Sequence, residues 1–391
     1  MRKAKRIIVV LMAIVLFTSL AACAKKDDGK IIIGIVMPIT GESSLEGEVM
    51  SSSVKMYVED INAAGGVLGK QIDLRIYDNR GDAVETTNAA RKAIQNDKVV
   101  ALLGADSSTT SIAMAEVCND LKIPQITSIA TNYRVTQTED GSARPYTFRA
   151  CLSDPQISEI LGKYAVEKLG YSKCAVIYNV GNDYSTGIQQ EFSDAFEAAG
   201  GVITIREAFN NGDVDYRALL SKIKAFEDFD TIFLSTAAYK ETALISNQAR
   251  TLGITVPFVG TEAMMADDIF NIAGDAVEDS VFMSGIDVNS AGAEAFKEKY
   301  IERYGYDPTV NTAADGPLGH DALMLLVTAI ENAGSTEPDK ICKAIEEIRD
   351  MQGVTCKLSM IPKTHNPIRE APVYKIVDSQ YVVVDKYSLE G

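Results

Sequence analysis

From residue 31 onward, short runs of β-branched and apolar residues alternate with longer stretches in which apolar positions recur every three or four residues. That alternation predicts parallel strands covered by helices. The unbroken apolar run over 31–37 reads as a strand buried on both faces. Val49, Val54, Met56, Tyr57 and Ile61 define the inner face of a helix over 48–64, which Gly65 and Gly66 stop. A second strand follows at 72–76, a helix at 84–96, a third strand at 99–103, a helix at 110–121 and a strand at 125–127. Each crossover is short, as right-handed βαβ winding requires.

The series then restarts. Helices are expected at 158–169, 184–199, 216–226 and 240–252, with strands at 174–178, 202–207, 231–234 and 257–259 between and after them. Two βα runs of similar length predict two similar α/β lobes, and a chain this long exceeds what one core supports. Further on, 320–332 and 340–348 read as helices. A closing strand pair over 373–377 and 381–384 turns at Asp378, Ser379 and Gln380.

The first 22 residues differ in kind. Arg2, Lys3, Lys5 and Arg6 precede an apolar run over 7–20 that is short for a permanent span, the layout of a signal peptide. It ends in Leu20, Ala21, Ala22 and Cys23, which resembles the lipobox of bacterial lipoproteins, with Cys23 as the lipid acceptor. Residues 23–29 then form a polar tether, and the chain is expected outside the cytoplasm, held to the membrane by lipid alone. Without the signal, 34 basic residues face 54 acidic ones, a net charge near −20. Such a body repels nucleic acid and anionic lipid.

Cys118, Cys151, Cys174, Cys342 and Cys356 show no metal-ligand spacing; Cys342 and Cys356 could pair, but buried free thiols fit better. With His320 and His365 as the two histidines, neither a metal site nor a histidine-based triad is expected, and no cofactor is called for.

Taken in order, Gly34-Ile-Val-Met-Pro-Ile-Thr-Gly41, Asp60-Ile-Asn-Ala-Ala-Gly-Gly-Val-Leu-Gly69, Tyr77-Asp78-Asn79, Leu103-Gly104 running into Ser107-Ser108-Thr109-Thr110, Ile129-Ala-Thr-Asn132, Gln248-Ala-Arg-Thr-Leu-Gly253 and Gly319-His-Asp-Ala322 resemble one family across the mature chain. It is that of type I periplasmic binding proteins of the branched-chain amino acid kind, receptors of ABC importers. The resemblance implies two three-layer αβα lobes joined by three hinge crossings. Lobe one is expected at 30–149 plus 285–362, and lobe two at 150–284 plus 363–391, closing on a solute between strand-to-helix loops.

The loop over 107–110 joins a strand to a helix, so its N–H groups and hydroxyls can converge on an anion. By resemblance Ser108 and Thr131, with groups of Ile129, Thr109 and Thr110, would hold an amino acid's α-carboxylate. Ser108 could equally be a plain helix cap. Glu262, at a strand end, would meet the ligand's ammonium, since a carboxylate enclosed in a cleft calls for a cation. Tyr184 would cover the ligand from lobe two, unless it is a core residue. Glu46, Ala238 and Asp315 stand where the family often carries aromatics, with Tyr239 beside Ala238. If these positions line the pocket, it is roomy and acidic, and suits a polar or cationic ligand side chain.

Three functions follow. A non-catalytic receptor, monomeric as the resemblance implies, would hand an amino acid or similar solute to permease and ATPase subunits. A sensor would use the same closed form as a signal. Carboxylates such as Asp183, Glu262 and Asp315 could in principle make an acid–base pair, but no nucleophile–base spacing, metal cluster or Gly-rich phosphate loop supports an enzyme, and no tryptophan offers a sugar platform.

Overall fold

The computed structural model describes residues 29–309, 312, 314–354 and 356–388. The expected signal peptide at 1–22, Cys23 and the tether up to residue 28 lie outside the described residues.

The alternating pattern folds into two αβα lobes. In the first, β1 (Ile31–Met37), α1 (Ser44–Ala63), β2 (Ile72–Asp78), α2 (Ala83–Gln95), β3 (Ala101–Gly104), α3 (Ser108–Leu121), β4 (Gln125–Thr127) and β5 (Thr147–Arg149) follow in sequence. The sheet is parallel throughout, in the order β2-β1-β3-β4-β5. Ile33, Ile35 and Leu103 bury one face with α1, and Val36, Leu102 and Met114 bury the other against α2 and α3. Each such side chain contributes about 1.5–3 kcal/mol on leaving water.

The second lobe carries α4 (Asp154–Glu167), β6 (Lys173–Asn179), α5 (Asp183–Ala198), β7 (Val202–Phe209), α6 (Arg217–Phe226), β8 (Thr231–Ser235), α7 (Tyr239–Thr251), β9 (Phe258–Gly260), α8 (Asp268–Ala273) and β10 (Val281–Met283). The chain then returns as α9 (Ala291–Tyr304), α10 (Asp315–Ala333) and α11 (Pro338–Glu346), which with β11 (Met351–Gln352) and β12 (Lys357–Ile361) precede two long strands, β13 (Asn366–Val377) and β14 (Gln380–Ser388). The second sheet runs β11-β12-β13-β10-β9-β8-β6-β7, with β14 on β13. β13 spans both lobes: Asn366–Arg369 pair with β12, whose Leu358 and Met360 pack into the first core, while Val373–Lys375 pair with β10.

The helix expected at 48–64 starts four residues earlier, at Ser44, which places Glu46 in its first turn. Gly47 lowers the sequence's helical signal there. It is nonetheless required, because a Cβ on it would lie 2.2 Å from the Pro38 carbonyl oxygen. All five described cysteines are free thiols, so Cys342 and Cys356 are not bridged.

Three passages link the lobes, after β5, after β10 and within β13. Arg369, 2% exposed on β13, joins them: its guanidinium donates to the Ala150 carbonyl at 2.8 Å and the Gly285 carbonyl at 2.9 Å. It also lies 3.8 Å from the fully buried Asp321 carboxylate on α10.

Candidate functional site

The cleft is built from strand ends and helix starts of both lobes. At its lobe-one side, Ser107 caps α3 by accepting from the Thr110 N–H at 3.3 Å, while the Thr110 hydroxyl accepts from the Ser107 N–H at 3.1 Å. The cap is therefore Ser107 rather than Ser108, and the Thr110 amide and hydroxyl are both engaged in it. Ser108, 2% exposed, accepts from the Asn132 N–H at 3.3 Å. The loop after β4 is held from behind by Arg149, fully buried, which donates to the Ala130 carbonyl at 2.8 Å and the Asn132 carbonyl at 2.6 Å. That clamp presents Ile129 and Thr131 to a narrow cavity between the lobes. The Thr131 hydroxyl is enclosed and lies beside the Asp154 carboxylate without the alignment of a hydrogen bond.

On the lobe-two side Glu262 lines the same cavity, with Ser284, Gly285, Cys151, Leu152 and Leu318. Its Oε1 accepts from the Ser284 hydroxyl and, at 2.9 Å, from the Gly285 N–H. Burial raises its carboxyl above the ordinary range, against the lowering effect of those two bonds and of the Arg369 charge. Tyr184 packs on the lobe-two core, and its phenol is raised well above its usual value by burial and then by the Asp154 and Glu262 charges. It thus belongs to that core.

Glu46 lies in the first turn of α1 and Asp315 opens α10, and these two helices pack on each other. Ser53 of α1 faces Gly316 of α10, and one turn later Tyr57 meets His320 with ring centroids 3.8 Å apart and the rings tilted by 56°. A Cβ on Gly316 would lie 2.9 Å from the Ser53 hydroxyl and one on Gly319 2.8 Å from Met50, so glycine allows the close approach. The start of α10 thus meets the third turn of α1. Asp315 keeps limited surface exposure there, yet its carboxyl stands well above the ordinary range, first through burial and then through the charges of Glu46, Glu262 and Asp106. Glu46 is also raised, chiefly by burial; Asp106 and Glu42 add to this while Lys240 opposes it, and its Oε2 is enclosed without a hydrogen-bond partner. Asp106, raised by burial, accepts from Asn79 at 2.8 Å and from Thr110 at 3.3 Å.

Direct bonds also cross the cleft. Asp183, first residue of α5, accepts from the Thr109 hydroxyl at 3.1 Å and lies 3.6 Å from Arg134; its carbonyl accepts from the Asn132 side chain at 2.8 Å. Thr109 is therefore a contact between lobes. Ala238 and Tyr239 open α7 at the rim, where Ala238 is exposed and the Lys240 ammonium lies 5.8 Å from the Tyr239 ring. Sequence reasoning overlooked Asp106, Lys240, Arg149 and Arg369. Asp106 stands one residue before the loop singled out, and its place after a strand end was the available signal. A wider groove bounded by Asp350, Gln352, Cys356 and Glu370 lies apart, along β11–β13.

Comparison with known proteins bears on what such a cleft holds. The periplasmic binding protein family matches residues 30–380. A leucine-, isoleucine-, valine-, threonine- and alanine-binding protein of Pseudomonas aeruginosa is 29% identical over 342 residues, covering 85% of this chain and 86% of its own length. A leucine-binding protein from Thermotoga maritima is 31% identical with a TM-score of 0.81, over 91% of this chain and 98% of that one. A branched-chain amino acid transporter substrate-binding protein from Streptococcus pneumoniae, solved with isoleucine, is 27% identical with a TM-score of 0.78, over 92% and 99%.

Proposed function

The chain belongs to the periplasmic binding protein family, and on that premise we propose that it is the extracytoplasmic receptor of an ABC importer, closing on an amino acid or similar small polar solute. The observation that carries this reading is the narrow cavity between the lobes, which has the unpartnered Thr131 hydroxyl on one wall and the Glu262 carboxylate on the other. The relatives' substrates and their solute-binding role support the same reading.

In this mechanism the Ser108 and Thr131 hydroxyls take the ligand's α-carboxylate and Glu262 takes its ammonium. The two ends are met by opposite lobes, so the whole ligand is held only when both close on it, and binding shifts the population toward the closed form. The bonds of Asp183 to Thr109 and Asn132 belong to that form. A receptor of this kind delivers its solute to permease and ATPase subunits as a monomer. A lipid on Cys23 would keep it near them and raise its effective concentration.

Glu262→Ala removes the ammonium's counter-charge and is expected to weaken amino acid binding by roughly 30-fold or more, as for loss of one partner of an enclosed charge pair. Calorimetry, with the ligand-free melting curve as control, measures it. Unchanged affinity would refute the assignment.

A further inference from the structure

Buried backbone groups must find partners, and the loop over 130–132, after β4, finds them in a particular pattern. The Ala130 N–H donates to the Thr127 hydroxyl at 3.2 Å and the Asn132 N–H to the Ser108 hydroxyl at 3.3 Å, while the Thr131 carbonyl accepts from the Asp154 N–H at 2.8 Å. The other two carbonyls, of Ala130 and Asn132, are both taken by one side chain, Arg149, at 2.8 and 2.6 Å. Among the described residues, only the N–H and hydroxyl of Thr131 are left over in this loop, and Thr131 lines the cavity between the lobes. Two such donors on one residue suit a carboxylate. Arg149 is itself fully buried at the end of β5, on the first passage between the lobes, and its own N–H donates to the His365 carbonyl at 3.2 Å, just before the third passage begins. Among the described residues no carboxylate bonds its guanidinium, whose further bond goes to the Thr136 hydroxyl at 3.3 Å. An enclosed cation held by neutral oxygens is costly, so a purely packing role explains it poorly.

We infer that Arg149 is a positioning residue for ligand binding: by gripping the carbonyls on either side of Thr131 it aims the Thr131 N–H and hydroxyl at the ligand's α-carboxylate and sets a positive charge behind them. This rests on the reading of the cleft as an amino acid site. The planar fork fixes both carbonyls at one spacing, which a lysine ammonium, though equally charged, does not.

The test is a double-mutant cycle by calorimetry with L-leucine, L-isoleucine, L-alanine, L-threonine, L-glutamate and L-lysine, on the wild type, Arg149→Lys, Thr131→Val and the two combined, with a ligand-free melting curve for each. For the amino acid that the wild type binds most tightly, Arg149→Lys and Thr131→Val should each weaken binding by about tenfold or more, as for loss of a hydrogen bond to a charged group. Because Arg149 acts through Thr131, its substitution should have an effect at least about threefold smaller when Thr131→Val is already present. A merely structural role would lower affinity by the same factor in both backgrounds. Arg149→Gln, which removes the buried charge along with the fork, repeats the cycle where the melting curve shows that the lysine variant does not fold. Equal losses in the two backgrounds, or full affinity in Arg149→Lys, overturn this inference and leave the receptor reading standing. Unchanged binding in Thr131→Val overturns the carboxylate assignment and this inference with it. Binding of none of these amino acids overturns the amino acid reading and, with it, the role given to Arg149.

Discussion

Gly187, in the second turn of α5, separates the stability of a lobe from the stability of the closed form. A Cβ there would lie 2.5 Å from the Asn132 side-chain nitrogen on the other lobe and 3.3 Å from the Asp154 carboxylate. Asn132 cannot easily give way. It is 3% exposed, its amide donates to the Asp183 carbonyl at 2.8 Å, and its Oδ1 accepts from the Arg134 N–H at 3.0 Å. Gly187→Ala should therefore act with opposite signs in two assays. Within lobe two, alanine improves a helix interior by about 0.5–1 kcal/mol, so the ligand-free protein should melt slightly higher. On closure the methyl group displaces Asn132 and breaks its bond across the cleft, and a buried donor left unsatisfied costs about 1–3 kcal/mol. Because only the closed form meets this penalty, it passes directly into ligand affinity. Binding of the best ligand by calorimetry should weaken by about 5- to 100-fold. Full affinity in Gly187→Ala would refute the argument that this contact belongs to the ligand-bound state, and a lower ligand-free melting temperature would show that α5 itself was disturbed.

Two further outcomes follow from buried charge. Arg369→Met leaves Asp321 enclosed without its cation and should cost about 3–5 kcal/mol in urea denaturation, and Asp321→Asn in the same chain should recover part of that loss. Failure of the second substitution to help would show that the Arg369 bonds to Ala150 and Gly285 dominate. Asp154, 1% exposed with both carboxylate oxygens unpartnered, is pushed up by burial to about 7 from an ordinary 3.8. The folded state then binds a proton that the unfolded state has released, so stability should fall as pH rises from about 4 to about 7 and level off above. Asp154→Asn should flatten that fall, as read from melting temperatures across the range; an unchanged slope would assign it to other groups.

Much of the fold was legible because its long elements carry strong periodicity. β1 is an unbroken apolar run, and α5 and α7 begin within one residue of where their polar and apolar spacing starts them. What escaped was short or weakly patterned. β5 and β10 are three-residue strands, too brief to show a period, and α9 buries only Ala293, Phe296 and Tyr300, so its amphipathic signal is faint. Glu262 and Thr131, picked out as candidates from the sequence, both line the interlobe cavity. The contact of Gly316 with Ser53 could not be picked out, because it joins two helices more than 260 residues apart in sequence. The same holds for Thr109, which looks like an anion-loop hydroxyl until the other lobe places Asp183 against it.

The Arg369 junction also fixes how far each part of the cleft travels. One guanidinium holds two of the interlobe passages from a side chain on the third, so opening must be a rotation about that point rather than a parting of the lobes. Glu262 is tied to Gly285, whose carbonyl the same guanidinium grips, and therefore sits on a short lever arm. Lys240, exposed at the rim where α7 opens, sits on a long one. Glu262 is accordingly almost in place before the lobes swing, whereas the groups at the rim arrive last. Discrimination between ligands should then appear mainly in how long the shut form persists, and little in how fast a solute first lodges.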